Sequence, residues 1–248
     1  MPRDLLAHQL SDRVADLNSN YSDKSAAEVL AGALETPLTG RLALVSSFGA
    51  ESVVLLHMLA QIDKGTPVLF IDTQMLFYET MKYQADLTEH LGLWNVRIIR
   101  PDEHEVAARD PHGTLHKTDV EACCALRKAR PLHAALDGFD GWITGRKRFQ
   151  SGTRAKLAFF EAETGTGRIK INPLAHWTPQ DIRTYMSDND LPKHPMVEKG
   201  YPSIGCAPCT NAVTDGSDPR SGRWQGQQKT ECGIHFDNGK LQQNGFAS

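Results

Sequence analysis

The chain has 248 residues, of which 40% are hydrophobic and 23% charged, and its formal net charge is −3. That composition excludes a disordered chain and suits one α/β domain with additions, or two small domains. The negative balance argues against a broad nucleic-acid surface, so an anionic ligand must be held by local clusters of Arg and Lys.

In chain order, Leu6, Leu10, Val14 and Leu17 recur at helical spacing and predict one face of an amphipathic helix. Ser25 followed by Glu28 predicts a capping box that opens a second helix, running through Leu34. Both are read as packing elements. Arg41 to Val45 is a short apolar run and predicts a buried strand. The loop Ser46-Ser47-Phe48-Gly49-Ala50-Glu51-Ser52 follows, and then an apolar helix from Val53. Strand, small-residue loop and helix form the layout of an anion site, because the first N–H groups of a helix lack internal partners. Ser46, Ser47 and Ser52 offer further donors. An ordinary βα turn is the competing reading.

Val68 to Ile71 predicts a second strand, ending in Asp72-Thr73, and a helix from about Tyr78 to Leu91 is expected next. Further strands are expected near Val96–Ile99, at Trp142–Gly145 and at Ile169–Ile171. Thr178 and Pro179 are expected as N-cap and first turn of another helix. This alternation predicts a mostly parallel twisted sheet with helices on both faces, in which ligands sit beyond the carboxyl ends of the strands. The Ser46 loop, Asp72 and Gly145 all fall at such ends. Gly145 leads into Arg146-Lys147-Arg148 and on to Arg154, four cations in nine residues. Arg220 and Arg223 form a second basic pair. Arginine forks suit phosphate and sulfate oxygens, against the alternative of a solvated loop. The expected organisation is a helical segment over 1–40, an α/β body over 41–212, and a flexible C-terminal tail over 213–248, rich in Gly, Ser and Asn.

No apolar h-region follows the first residues, and the longest nearly apolar run, Val53 to Ala60, is too short to cross a membrane. Five cysteines without a secretory signal predict a reducing compartment and metal-binding or catalytic thiols. The expected location is the cytoplasm, with neither membrane nor nucleic acid as a partner. Cys123 and Cys124 are adjacent within a helix expected over Glu121–Leu136, and Cys206-Ala207-Pro208-Cys209 lies on a Gly- and Pro-rich loop. Four thiolates suit zinc or an iron–sulfur cluster. Neighbours on a helix diverge by about 100°, which favours a cluster with separate irons over a single tetrahedral ion. A redox Cys-x-x-Cys and buried packing thiols are the alternatives. The fifth cysteine, Cys232, stands in Lys229-Thr230-Glu231-Cys232-Gly233-Ile234-His235. Cationic neighbours such as Lys229 or a protonated His235 stabilise a thiolate, so Cys232 is a candidate nucleophile, against the alternative of a spare thiol in a polar tail.

Taken together these residues resemble the sulfonucleotide (PAPS) reductase family, and within it the assimilatory adenylylsulfate reductase branch. The resemblance is carried by the Ser46–Ser52 loop, Phe70-Ile71-Asp72-Thr73, Cys123-Cys124-x-x-Arg127-Lys128 and Arg148-x-Gln150-Ser151-x-x-Arg154. It continues through His194-Pro195 with Gly200 to Cys209, Arg220-x-x-Arg223, and Glu231-Cys232-Gly233-Ile234-His235. It implies an adenine-nucleotide alpha-hydrolase type of fold and a [4Fe–4S] cluster on Cys123, Cys124, Cys206 and Cys209. It implies Cys232 as nucleophile, adenosine 5′-phosphosulfate as substrate, and thioredoxin or a glutaredoxin-like thiol as donor. Substrate contacts are then expected from Ser46, Ser47, Phe48, Gly49, Ser52, Asp72, Lys128, Gly145, Arg148, Arg154, Arg220, Arg223 and His235. The rival expectations are the 3′-phosphorylated substrate, an ATP pyrophosphatase of the related loop type, and a non-enzymatic binding module. ATP pyrophosphatases carry Ser-Gly-Gly-x-Asp-Ser where this chain has Phe48 and Glu51, and losing a glycine reduces close approach to a pyrophosphate. A homo-oligomer is left open.

Overall fold

Leu42–Ser46 (β1) is buried almost throughout, as expected for a strand covered on both faces. A computed structural model of the chain describes residues 3–163, 165–214 and 218–225. Its helices and strands run Arg3–Asn20 (α1), Ala26–Glu35 (α2), β1, Ser52–Ile62 (α3), Val68–Ile71 (β2), Tyr78–Leu91 (α4), Val96–Ile99 (β3), Glu103–Arg109 (α5), Leu115–Thr118 (α6) and Val120–Cys124 (α7). Residues Ala125–Ala129 form a π-helical turn, followed by Arg130–Ala135 (α8), Gly141–Ile143 (β4), Phe160–Glu163 (β5), Arg168–Ile171 (β6), Pro179–Asp188 (α9) and Pro195–Glu198 (α10).

The sheet order is β3-β2-β1-β4-β6-β5. All neighbours are parallel except the β5–β6 hairpin, which pairs Phe160 with Ile171 and Glu163 with Arg168. The chain passes from β1 outward through β2 to β3, then returns to place β4 on the other side of β1. That reversal opens a crevice at the carboxyl ends of β1 and β4. A large core of side chains from α1, α2, α3, α4 and α9 fills one face. Ala43, Leu69 and Trp142 pack with Leu132 and Leu136 on the other.

The expected elements recur with their caps. Ser25 and Glu28 form the reciprocal capping box, and Thr178 caps α9 with Pro179 in its first turn. The helix expected over Glu121–Leu136 is interrupted by the π turn immediately after Cys124. β5 was not anticipated. Its edge is covered by Asn18 of α1, whose amide donates to the Phe160 carbonyl and accepts from the Phe160 N–H. An edge strand is thereby closed to further pairing.

A second device fastens α10 to α4. The His194 ring is fully buried; its Nδ1 accepts from the Met196 N–H at 3.1 Å, and its Nε2 lies 3.1 Å from Thr80 Oγ1. The neutral ring with its proton on Nε2 satisfies both contacts, whereas a second proton on Nδ1 would face another N–H. Burial pulls the His194 pKa down to about 4, against a small opposing pull from Glu79. A histidine depressed in the folded state contributes stability above its unfolded value near 6.5, and loses it as pH falls towards 4. Urea unfolding of the wild-type chain is expected to lose about 3 kcal/mol across that window from this group. His194→Gln should be less stable at neutral pH and show a shallower fall. Equal slopes for the two proteins would reject the assignment.

Candidate functional site

The β1–α3 loop is shaped by its own serines. Ser46 Oγ accepts from the Phe48 N–H at 3.1 Å, and Ser52 Oγ accepts from the Gly49 N–H at 3.0 Å. Phe48 adopts a left-handed φ of 46°, a region that favours glycine, and its ring is fully buried edge-on against Phe70 at 5.2 Å. The buried aromatic ring anchors this left-handed bend.

This loop forms one wall of a cleft of ≈ 1360 Å³ at the switch point. Ser46, Ser47, Gly49 and Ser52 line it from the loop, and Gly145 and Arg154 from the segment after β4. Lys128 lines it from the π turn, and Arg220 and Arg223 from the 218–225 segment. Leu55, Leu174, Ile182 and Met186 give it an apolar flank. The structure thus brings nine of the expected positions together around one cleft. Three others fall elsewhere. Phe48 is a core residue. The Asp72 carboxylate is occupied by the Gln74 N–H at 2.8 Å and Arg100 Nε at 2.9 Å, and it shapes the turn after β2. Arg148 is exposed and donates to the Leu157 carbonyl at 2.8 Å, outside the cleft lining. Cys232 and His235 lie outside the described residues.

The structure adds a pair that sequence reasoning passed over. Lys147, buried at the cleft wall, donates to Glu51 at 2.7 Å and to the Gly145 carbonyl at 3.2 Å. Burial pushes the Lys147 ammonium down, Glu51 opposes that, and Arg154 and Arg220 reinforce it. The pair ties the β1–α3 loop to the β4 loop and cancels the Glu51 charge beside an anion site. The signal lay in the run Arg146-Lys147-Arg148, since three consecutive cations cannot all face the same way.

A second, smaller space adjoins the cleft. Cys123, Cys124, Cys206 and Cys209 line it together with Thr73, Met75, His116, Arg127, Lys128 and Trp224. All four cysteines are buried and unbridged. Thr73 Oγ1 lies 3.3 Å from Cys206 Sγ, and the Ala207 N–H donates to the Met75 carbonyl at 2.8 Å. Arg127 reaches from the π turn to Asp110 Oδ2 at 2.8 and 3.1 Å and to the Thr73 carbonyl at 3.2 Å, so it braces the thiol walls against one another. π turns recur at functional sites because they re-aim neighbouring side chains. Lys128 is common to the cleft and the thiol space.

Among the described residues, no set of three or more His, Cys, Asp or Glu side chains is gathered to hold a single metal ion. The four thiols nonetheless suit a soft, multi-centred group. Burial first, and then Cys124 and Cys206, push the Cys123 thiol up to about 12, with Arg127 opposing and Cys209 reinforcing the rise. A thiol raised in this way, as at Cys123, keeps its proton until a bound metal group displaces it.

The mostly parallel sheet, with its crevice at the switch point, places the chain among α/β domains of the adenine-nucleotide alpha-hydrolase-like fold. Residues 41–212 match the phosphoadenosine phosphosulfate reductase domain, and the chain belongs to that family. It is 48% identical over 224 residues to an adenosine 5′-phosphosulfate reductase of Mesorhizobium japonicum, covering 90% of this chain and 87% of the relative. It is 43% identical over 195 residues to the enzyme of the same name from Mycobacterium tuberculosis, covering 77% and 75% of the two chains. The crystal structure of phosphoadenylyl-sulfate reductase from Candida auris in a phosphate complex superposes with a TM-score of 0.69 at 27% identity, over 81% of this chain and 96% of that one. FMN adenylyltransferase of Candida glabrata shares the fold alone, with a TM-score of 0.54 at 16% identity over 85% and 79% of the two chains. No helix among the described residues is long and apolar enough to cross a membrane.

Proposed function

We propose that this chain reduces adenosine 5′-phosphosulfate to sulfite and AMP in assimilatory sulfate reduction. The observation that carries the reading is the continuity of the cationic cleft wall with the thiol quartet through Lys128. The apolar flank takes the adenosine, and Arg154, Arg220, Arg223 and Lys128 take the phosphate and sulfate. Cys232 supplies the thiolate that attacks the sulfur. A sulfur–sulfur bond forms, the bond from sulfur to the phosphate oxygen breaks, and AMP leaves with the electron pair. A thiolate of thioredoxin, or of a glutaredoxin-like donor, then attacks Cys232 Sγ. The bond between Sγ and the sulfite sulfur breaks, sulfite leaves with its electron pair, and a mixed disulfide between Cys232 and the donor remains. The donor's second thiolate then attacks the donor sulfur of that disulfide, closing the donor's own disulfide and releasing the Cys232 thiolate. This is covalent catalysis in two steps. The cationic wall lowers the repulsion between two anions and stabilises charge growing on the leaving phosphate.

Cys123, Cys124, Cys206 and Cys209 would hold a [4Fe–4S] cluster, whose irons accept four thiolates and order the quartet when bound. A reducing, cytoplasmic setting is part of this reading, since cysteines that bind metal or act as nucleophiles must stay unbridged by disulfides. Residues 1–40 serve as a helical segment and 213–248 as the tail that carries the nucleophile to the body at 41–212.

The reading is tested with purified chain and a dithiol donor protein, by comparing kcat/KM for the nucleotide with a free 3′-hydroxyl and for its 3′-phosphorylated form. A preference of at least about 100-fold for the former is expected, since a site built for a hydroxyl rejects a mismatched group strongly. A preference for the phosphorylated form would make the chain a phosphoadenosine phosphosulfate reductase. Pyrophosphate release from ATP would point to the related pyrophosphatases.

A further inference from the structure

The guanidinium of Arg223 has two close neighbours. Its Cζ lies over the Trp224 ring, 4.4 Å from the centroid, and its end approaches the backbone of Gly205, the residue before the first cysteine of the Cys206–Cys209 loop. A Cβ built on Gly205 would fall 2.3 Å from Arg223 Nη2, 2.6 Å from Cζ and 3.0 Å from Nη1. The Arg223 Nη1 also donates to the Ile204 carbonyl at 3.3 Å. The main chain around it is fixed, because the Trp224 N–H donates to the Cys209 carbonyl, the Asn211 N–H donates to the Gly222 carbonyl, and Thr210 bridges to Arg223. The side chain is therefore the part free to move. Both Gly205 and Arg223 line the nucleotide cleft.

We infer that Gly205 is a positioning residue for the nucleotide anion: lacking a Cβ, it lets the Arg223 guanidinium seat against the cysteine loop, stacked on Trp224 and aimed into the cleft. No left-handed backbone angle is recorded at this position, so the requirement for glycine comes from the close approach of Arg223. The inference rests on the proposed nucleotide site, and it locates one of that site's cations through a residue with no polar side chain of its own. It ties the cysteine loop to the cleft by packing, so that displacing the loop displaces the cation.

The test is AMP binding, measured by calorimetry on the full-length protein, for wild type, Gly205→Ala, Arg223→Ala and the double variant. Gly205→Ala should weaken AMP about tenfold, within the range of a lost hydrogen bond to a charged group. In the Arg223→Ala background the space is open, and the same substitution should change the affinity less than about twofold, because residues acting through one contact are non-additive. If Gly205→Ala alone misfolds, the double variant should recover the wild-type unfolding transition. Unchanged AMP affinity in a folded Gly205→Ala protein would overturn the inference. So would an equal penalty in both backgrounds, or a double variant that still misfolds. Failure of the wild type itself to bind AMP would instead reject the nucleotide site.

Discussion

Cys232→Ser is expected to bind the nucleotide as wild type does and to produce no sulfite. Among the described residues Cys123, Cys124, Cys206 and Cys209 line one buried space and are proposed as ligands; Cys232, the fifth cysteine of the sequence, lies outside the described residues. The serine keeps the size of the side chain but not the thiolate, and a hydroxyl is a weak nucleophile at neutral pH without a base beside it. Lys229 and His235 flank the position in sequence and favour the anionic form of sulfur. The discriminating experiment omits the thiol donor. Wild-type chain incubated with adenosine 5′-phosphosulfate should gain the mass of one SO₃ group, mapped to the peptide containing Cys232 and removed by added thiol, with AMP released in equal amount. The variant should gain none. Because binding is retained, the loss should appear in turnover and not in AMP affinity. An adduct on another cysteine would overturn the assignment, as would near wild-type turnover by the serine variant.

The parts of this design legible in the sequence are those set by local chemistry. β1, β2 and β3 are short apolar runs next to helical periodicity, and α4 was expected at the bounds it has. The Ser25 and Thr178 caps are read from side chains that bond their own backbone. β5 was missed because Phe160-Glu161-Ala162-Glu163 looks polar on its own. Glu163 is buried with the Thr166 hydroxyl donating to its Oε2 at 2.6 Å and with Arg168 and Lys170 of β6 reaching it at 4.0 and 3.4 Å. The Gly-rich turn at 164–167 was the available signal for that hairpin. Residue types at strand ends pointed to segments that the structure gathers around one cleft, but not to which way each side chain turns. Phe48, Asp72 and Arg148 follow tertiary partners that no local pattern announces. The Glu51–Lys147 pair joins residues far apart in sequence, and nothing in either segment specifies the other. The tandem Cys123-Cys124 reads as odd for a single tetrahedral ion within an unbroken helix, and the structure places a π turn directly after it.

Replacing any one of Cys123, Cys124, Cys206 or Cys209 with serine is expected to remove most of the iron and sulfide and to abolish activity. The four thiols come from two distant segments, the α7 helix and the Cys206–Cys209 turn, and their only shared feature is the space between them. Arg127 and the Thr73 hydroxyl hold those segments in place, and Trp224 packs onto Cys206 and Cys209. A group bound there would tie the segments together, so its binding energy would be part of the stability of this region. Serine is a harder and more basic ligand than thiolate, and here its buried hydroxyl would have few partners. The wild-type protein purified without oxygen should be brown and carry iron and inorganic sulfide in equal amounts. Each variant should be close to colourless and unfold earlier than wild type in urea. Because Arg220 and Arg223 stack near Trp224, at 5.8 and 4.4 Å from the ring centroid, AMP binding should weaken along with metal loss. A variant with full iron content would remove that cysteine from the ligand set. A colourless wild-type protein carrying one zinc would replace the cluster with a single ion on the same four thiolates.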